Sequence, residues 1–433
     1  MNRQYLEEFR IRHGKLLIAL NSYVFILIGM FIFFRPIPHT TTLINISFYL
    51  AIAFALLLFY VSPDDYTLKT PLTYPLMIFF LWALLSISWA IDVRNTINDV
   101  RGHLLNHIIF YFLVVNFFPN KKRLDSLVWI IILSAACFSL LGLIYYYFIM
   151  DNPVKAVRFG WLMSNSKNVS TELPVNFIGT LNIPAIFFCL YLFVQSSAFY
   201  VRIALVLCAL PTIIGMILTQ SRGTLAAFVL AAVALLVISR KKLIPLCALL
   251  TVIIVFLLSP ARERLETSSL SERLKMNYVA CEVLKDYPLK GIGFGMMTFN
   301  NSINKEAYIN KIPPKYRPQE LITPHNLLLD IAVRIGLVGL SIFFVILYVF
   351  IKMCWQTLRY SIDKDIKCLT MYVAVVFVAY FFMGLLEPLF LFKASAMMFF
   401  IFLGMMSILW RLNSFQMENK RGINGNQVFC GHN

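Results

Sequence analysis

One histidine and a set of arginines have the residue types and spacing to do chemistry. His325 stands in Thr323-Pro324-His325-Asn326, immediately ahead of the apolar run Leu327-Leu328-Leu329-Asp330-Ile331-Ala332-Val333-Arg334-Ile335-Gly336-Leu337-Val338-Gly339. Thr323 suits an N-cap and Pro324 the first helical position, which predicts His325 in the first turn of a helix. The positive end of the helix dipole suits a neutral imidazole that accepts a proton, and an anion would rest close by. The alternative on spacing alone is a histidine that caps the helix and bonds a backbone carbonyl. On an unbroken helix Gly336 lies about 20° and Gly339 about 40° from the His325 direction, so that face admits a neighbouring helix or a lipid chain. Arg334 lies about 180° from His325 and roughly 13 Å deeper. A charge at that depth needs a partner, for which Glu387 in Glu387-Pro388 is a candidate.

The arginines are candidates for an anion site, because a guanidinium fork matches phosphate oxygens. Arg222 sits in Thr219-Gln220-Ser221-Arg222-Gly223-Thr224, a polar break too short for a free loop. That places its charge on a tight turn between two helices at the membrane boundary. Ser269-Leu270-Ser271-Glu272 fits a capping box and predicts an amphipathic helix to Asp286, limited by Pro288. Leu270, Leu274, Tyr278 and Cys281 form its apolar stripe, with Arg273 and Asn277 one turn apart beside it. Arg94, Arg101, Arg158, Lys167, Arg262, Arg264 and Lys275 fall in the same set of loops, where phosphate binding competes with snorkelling to headgroups or local ion pairing. Gly291-Ile292-Gly293-Phe294-Gly295 has no βαβ context and reads as a turn for close backbone approach to the membrane or a ligand. His103 and His107 lie one turn apart, but Asp99 is the only acid near them in sequence, so core or interfacial histidines are the simpler reading.

These residues must be positioned by membrane helices. Sixty per cent of the 433 residues are hydrophobic and 14% charged, with mean hydropathy +0.76, which excludes an ordinary soluble domain. The net charge of +17 sits in short clusters between apolar runs, a pattern that argues against nucleic-acid binding and for membrane topology. About twelve spans are expected, near 16–34, 43–61, 72–90, 103–118, 127–149, 175–194, 201–219, 223–239, 243–259, 326–351, 369–386 and 394–411. The first reads as a retained span, without a signal-peptide cleavage site. Basic segments at 3–15, 121–123, 240–242, 352–367 and 411–421 alternate so that both termini are cytoplasmic. The organisation is therefore transmembrane helices 1–9 over 1–259, a large periplasmic loop over 260–324, helices 10–12 over 325–411 and a mobile cytoplasmic tail over 412–433. The eight cysteines lack metal-ligand spacing, and no metal or other cofactor is expected.

His325-Asn326 followed by Gly336 and Gly339 resembles the His-Asn-x9-Gly-x2-Gly pattern of the O-antigen ligase and polymerase superfamily of bacterial envelope proteins. Thr219-Gln220-Ser221-Arg222-Gly223 and Pro288-Leu289-Lys290-Gly291-Ile292-Gly293 resemble two further segments of that superfamily, in the expected order. The resemblance implies an all-α polytopic fold like that of the GT-C glycosyltransferases, in a bacterial inner membrane, with a periplasmic active site. It implies metal-independent inverting transfer of a glycan from undecaprenyl pyrophosphate to a sugar of lipid A-core. His325 would then be the general base. Arg222, Arg273 and Arg101 would bind the pyrophosphate, and Asn326 would also contact substrate. Glycine-lined helix faces would leave room for the polyprenyl chain. Arg334 departs from the pattern, since many members carry an acid before Ile-Gly or Leu-Gly. An O-antigen polymerase, with lipid-linked glycan as donor and acceptor, is the alternative within the superfamily. Outside it stands a flippase for lipid-linked sugars, which should place charges deep in several spans and show repeat symmetry.

Overall fold

The computed structural model describes residues 12–153, 159, 175–239, 246, 269–318 and 323–429, and among them it is helical with no strand. The long helices are α1 (Gly14–Phe34), α2 (Thr41–Val61), α3 (Thr73–Leu85), α4 (Val93–Phe117), α5 (Lys121–Ile149), α6 (Val175–Gln195), α7 (Phe199–Leu218) and α8 (Arg222–Ile238). After them come α9 (Ser269–Asp286), α10 (Leu327–Tyr360), α11 (Lys364–Gly384) and α12 (Lys393–Phe429). Nine of these are long and apolar enough to cross a membrane, and α3 with its 3-10 extension to Trp89 and α8 are shorter apolar helices. The protein is a multi-pass membrane protein. Eleven of the expected spans thus have a helix; the twelfth, 243–259, lies outside the described residues apart from Leu246.

Boundaries differ where polar residues extend a helix beyond its apolar run. The expected span at 103–118 begins at Val93, because the Asp92 carboxylate accepts from the Asn95 amide at 2.9 Å and caps it. The last helix continues past Arg411, without a break at the expected tail, to Phe429. Apolar side chains such as Ile18, Leu56, Leu207 and Ile351 point outward, as residues facing hydrocarbon do, while α12 is enclosed by its neighbours.

The bundle has two chemically different ends. α10 descends from His325 to Arg359 and Tyr360, and α11 climbs back from Lys364 to Glu387. At the lower end Gln416 donates to Asp363, Gln195 to Asp365, and Arg123 to Asn21, so the basic segments around 121–123, 352–367 and 411 share one end. His325, Glu387, the Arg222 turn and the turn after α1 lie at the other.

α10 is broken in the middle. Ile335 and Gly336 leave the helical region, with Gly336 at φ +71°, and the chain of 288–296 inserts at the break. The carbonyls released at Val333 and Arg334 accept from the amides of Ile292 and Gly293 at 3.0 and 2.9 Å, and that of Ile335 accepts from the Trp82 indole at 2.8 Å. Leu337 donates to the Pro288 carbonyl at 2.8 Å. Backbone groups freed at the break are thereby re-bonded, as a low-dielectric setting requires. A side chain at Gly336 would overlap the Leu289 carbonyl, and one at Gly291 the Arg334 carbonyl. Close backbone approach is what these glycines provide, but to each other. At the expected glycine-lined face, Gly336 is met by Leu289 and Lys290 and Gly339 by the Ile335 side chain, because the phase count that aligned the two glycines with His325 holds only on an unbroken helix.

Candidate functional site

His325 is held just before α10 rather than in its first turn. The N-cap is Asn326, whose extended backbone lets its Oδ1 accept from the amides of Leu328 and Leu329 at 2.9 and 3.1 Å. Its Nδ2 donates to the Leu385 carbonyl at 3.2 Å, tying the start of α10 to the end of α11. Oδ1 of Asn326 thus caps the helix and Nδ2 bonds backbone through one of its two hydrogens. The expectation that Thr323 caps fails because an Asn one residue ahead of the helix reaches the same orphan amides.

The His325 amide donates to Asn277 Oδ1 at 2.9 Å, which anchors the histidine to α9. The ring turns to Glu387: Nδ1 lies 3.0 Å from Oε2, with the two side chains 18% and 11% exposed. The other carboxylate oxygen accepts from Arg273 Nη2 at 2.7 Å. One carboxylate therefore bridges α9 and the α10 start, and the polar line expected from Arg273 and Asn277 is the face of α9 that meets the histidine. A carboxylate on Nδ1 fixes the tautomer with the proton there and leaves Nε2 with a lone pair. Arg273 has four further N–H donors beyond the one used on Glu387.

The remaining candidates divide. Arg222 is the first residue of α8, following a turn in which Gln220 has φ +50° and Ser221 Oγ accepts from the Thr224 amide at 3.2 Å. The next residue, Gly223, faces Leu386, which adjoins Glu387, so the Arg222 turn borders the cluster. Arg101 lies exposed on a π-helical turn of α4, Val100–Leu105, and among the described residues no hydrogen bond or ion pair joins it to the cluster. Lys275 pairs with Glu272 at 2.5 Å. Arg262 and Arg264 lie outside the described residues.

Two expectations need correction. Glu387 is not the partner of Arg334; the deep guanidinium pairs with Asp330 one turn above it, Nε to Oδ1 at 2.9 Å, both fully buried. The i,i+4 spacing makes that pair local, whereas Glu387 stands at the rim. The apolar stripe of α9 also runs the other way: Leu274 and Tyr278 are exposed, while Met276, Val279, Ala280 and Val283 pack on Phe299, Ile303 and Ile312. A helix apolar on two sides gives no sign in sequence of which side meets protein. The side chains of the expected capping box at 269–271 are outside the described set. His103 and His107 are buried, and the His107 ring contacts the His103 and Lys393 carbonyls, at 3.0 Å for the latter, in keeping with core histidines. Among the described residues no cluster has the ligands for a metal ion.

Residues 203–344 match the family model described as O-antigen ligase. Over that third of its length the chain is similar to the O-antigen ligase/polymerase superfamily. The matched third of the chain runs from α7 into α10 and contains Arg222, Arg273, Asn277, His325 and the broken stretch around Gly336. Glu387 lies beyond it. No curated protein matches the chain. Given this similarity, a histidine oriented by a carboxylate beside two arginines is the arrangement to weigh against a transfer reaction. Glu387 is the residue whose place in it sequence reasoning missed. The signal was there, an acid at the rim end of an apolar span, but no pattern in the sequence linked it to His325.

Proposed function

We propose that the protein is an O-antigen ligase, a glycosyltransferase moving polysaccharide from undecaprenyl pyrophosphate to a sugar hydroxyl of lipid A-core. The observation that carries the reading is the Glu387 bond to His325 Nδ1, which leaves Nε2 to take a proton. The acceptor hydroxyl oxygen attacks the anomeric carbon as its proton passes to Nε2. The bond from that carbon to the pyrophosphate oxygen breaks, and the electron pair leaves with the pyrophosphate. In-line attack inverts the anomeric centre. The imidazolium formed lies against the Glu387 carboxylate, and the guanidinium groups of Arg273 and Arg222 stabilise the leaving charge. Arg273 thus serves both sides, holding Glu387 through one nitrogen and the phosphate through others. Arg101, exposed on its π turn, serves as an outlying contact for the polyanion.

The location follows from charge. Basic segments gather at the end of the bundle opposite His325, and such segments stay on the cytoplasmic side. The reading therefore sets the site on the periplasmic face of the inner membrane, with both termini cytoplasmic. Residues 260–324 then form the large periplasmic loop that roofs the site through α9.

Reconstitution tests this. Purified protein is combined with lipid-linked O-polysaccharide, with and without lipid A-core, in chelator and without ATP, and the products are resolved on gels. Transfer that requires lipid A-core, is lost in His325→Ala and has a raised donor KM in Arg222→Ala is the expected result. Lengthening of the lipid-linked chain without lipid A-core would make the protein a polymerase, and full activity of His325→Ala would remove the histidine from the mechanism.

A further inference from the structure

The turn between α11 and α12 carries Glu387 to the histidine on one side and Phe392 and Lys393 to a second place on the other. There a cavity of about 450 Å³ opens between this turn and the one that follows α1. Its charged and titratable lining is all basic: Arg35, His39 and Lys393. Ile44, Phe177 and Phe392 supply an apolar wall, with the Phe177 and Phe392 rings 6.4 Å apart. Arg35 lies with its guanidinium 5.6 Å from the Phe31 ring, and among the described residues no carboxylate pairs with it. Asp99 lies outside the lining and acts on Lys393 electrostatically, while one of its oxygens accepts from the Met296 amide at 2.7 Å.

Two like charges bordering one cavity repel each other, and the arrangement is relieved by an anion between them. Both residues stand at helix ends directly beside apolar runs, and basic side chains at such ends commonly meet headgroup phosphates. The apolar wall continues the cavity toward the hydrocarbon. Its ligand must therefore be anionic at one end and apolar at the other. The cavity shares the site's end of the bundle: Phe177 lines it, and Gly179, half a turn on, abuts Thr224 and Met383 beside the Arg222 turn.

We propose that this cavity is a second anion site that seats the phosphate of a phosphorylated glycolipid, separate from the His325 cluster. Resting on the transfer reaction proposed above, that lipid is the acceptor, held with its sugars toward His325 while the donor pyrophosphate occupies the arginines of the cluster.

The test is binding of fluorescent bis-phosphorylated lipid A and of its fully dephosphorylated form to the purified full-length protein in detergent. Wild type is expected to prefer the phosphorylated form by about tenfold or more, the scale of one or two charge-assisted hydrogen bonds. Arg35→Gln/Lys393→Gln should abolish the preference. Asn45→Trp, which narrows the mouth and keeps both charges, should weaken binding of both forms, with thermal unfolding confirming that each variant folds. A preference unchanged in the double variant, or binding unchanged in Asn45→Trp, overturns the site. Inorganic phosphate binding as tightly as the lipid would overturn the glycolipid assignment. In the transfer assay the double variant should raise acceptor KM and leave donor KM alone; a raised donor KM would refute the acceptor role. Failure of the wild type to transfer at all would sink the proposed function while leaving the binding result standing.

Discussion

Glu387→Gln separates a catalytic carboxylate from a structural one. The ring nitrogen and the carboxylate are 3.0 Å apart. Once the imidazole is protonated, an effective dielectric of about 20 gives roughly 5 kcal/mol of attraction at that distance. Solvent screens part of this, since the side chains are 18% and 11% exposed, and the glutamine oxygen keeps a neutral hydrogen bond to Nδ1. The net loss should be about 2–3 kcal/mol, felt as the imidazolium forms and not on binding. That corresponds to kcat lower by about 30- to 150-fold with donor and acceptor KM little changed. The assay is initial-rate transfer to lipid A-core, run as a cycle with His325→Ala and the double variant. If Glu387 acts through His325, adding Glu387→Gln to His325→Ala costs nothing further. Equal fold losses in both backgrounds would refute the reasoning, leaving Glu387 as a clamp for Arg273 alone.

Three further outcomes follow from the frame around the site. Gly336→Ala forces a side chain at φ +71° into the Leu289 carbonyl, so unfolding in detergent should be easier by at least about 1–3 kcal/mol, lowering the thermal midpoint. Arg334→Met leaves Asp330 buried and unpaired and should cost about 3–5 kcal/mol, most of it recovered in Asp330→Leu/Arg334→Met, as a double-mutant cycle on thermal stability would measure. Asn326→Ala should lose about 1 kcal/mol with its cap, and Asn326→Ser should restore stability and activity together; activity that stays lost in Asn326→Ser would return Asn326 to substrate binding.

How much was legible in the sequence depends on the range of the interaction. Hydropathy over a span is a local sum, so the membrane helices and the polar break at Thr219–Gly223 could be read directly, while the ends of α4, α10 and α12 were missed by nine residues or more because polar residues prolong those helices. The His325 neighbourhood and the line of Arg273 and Asn277 were legible for the same reason, because helical spacing places residues one turn apart on one face. Capping was read three residues too early, since Thr323 and Asn326 both suit the role and only the backbone conformation at Asn326 chooses between them. Glycine at 291 and 336 announced close approach, yet what approached was undetermined: each glycine makes room for the other's segment, a contact between distant parts of the chain.

By itself the sequence determined the class of protein, a polytopic helical bundle, and the residue types at one rim able to accept a proton and bind phosphate. It did so because burial in hydrocarbon is set residue by residue. Only the tertiary structure decided which charges meet. Asp330 takes Arg334, so that Glu387 is left for His325 and Arg273, and the turn that carries Glu387 also brings Lys393 toward Arg35. Ion pairing in a low dielectric is exclusive and strongly distance-dependent, so a partner cannot be assigned before the helices that carry it are packed.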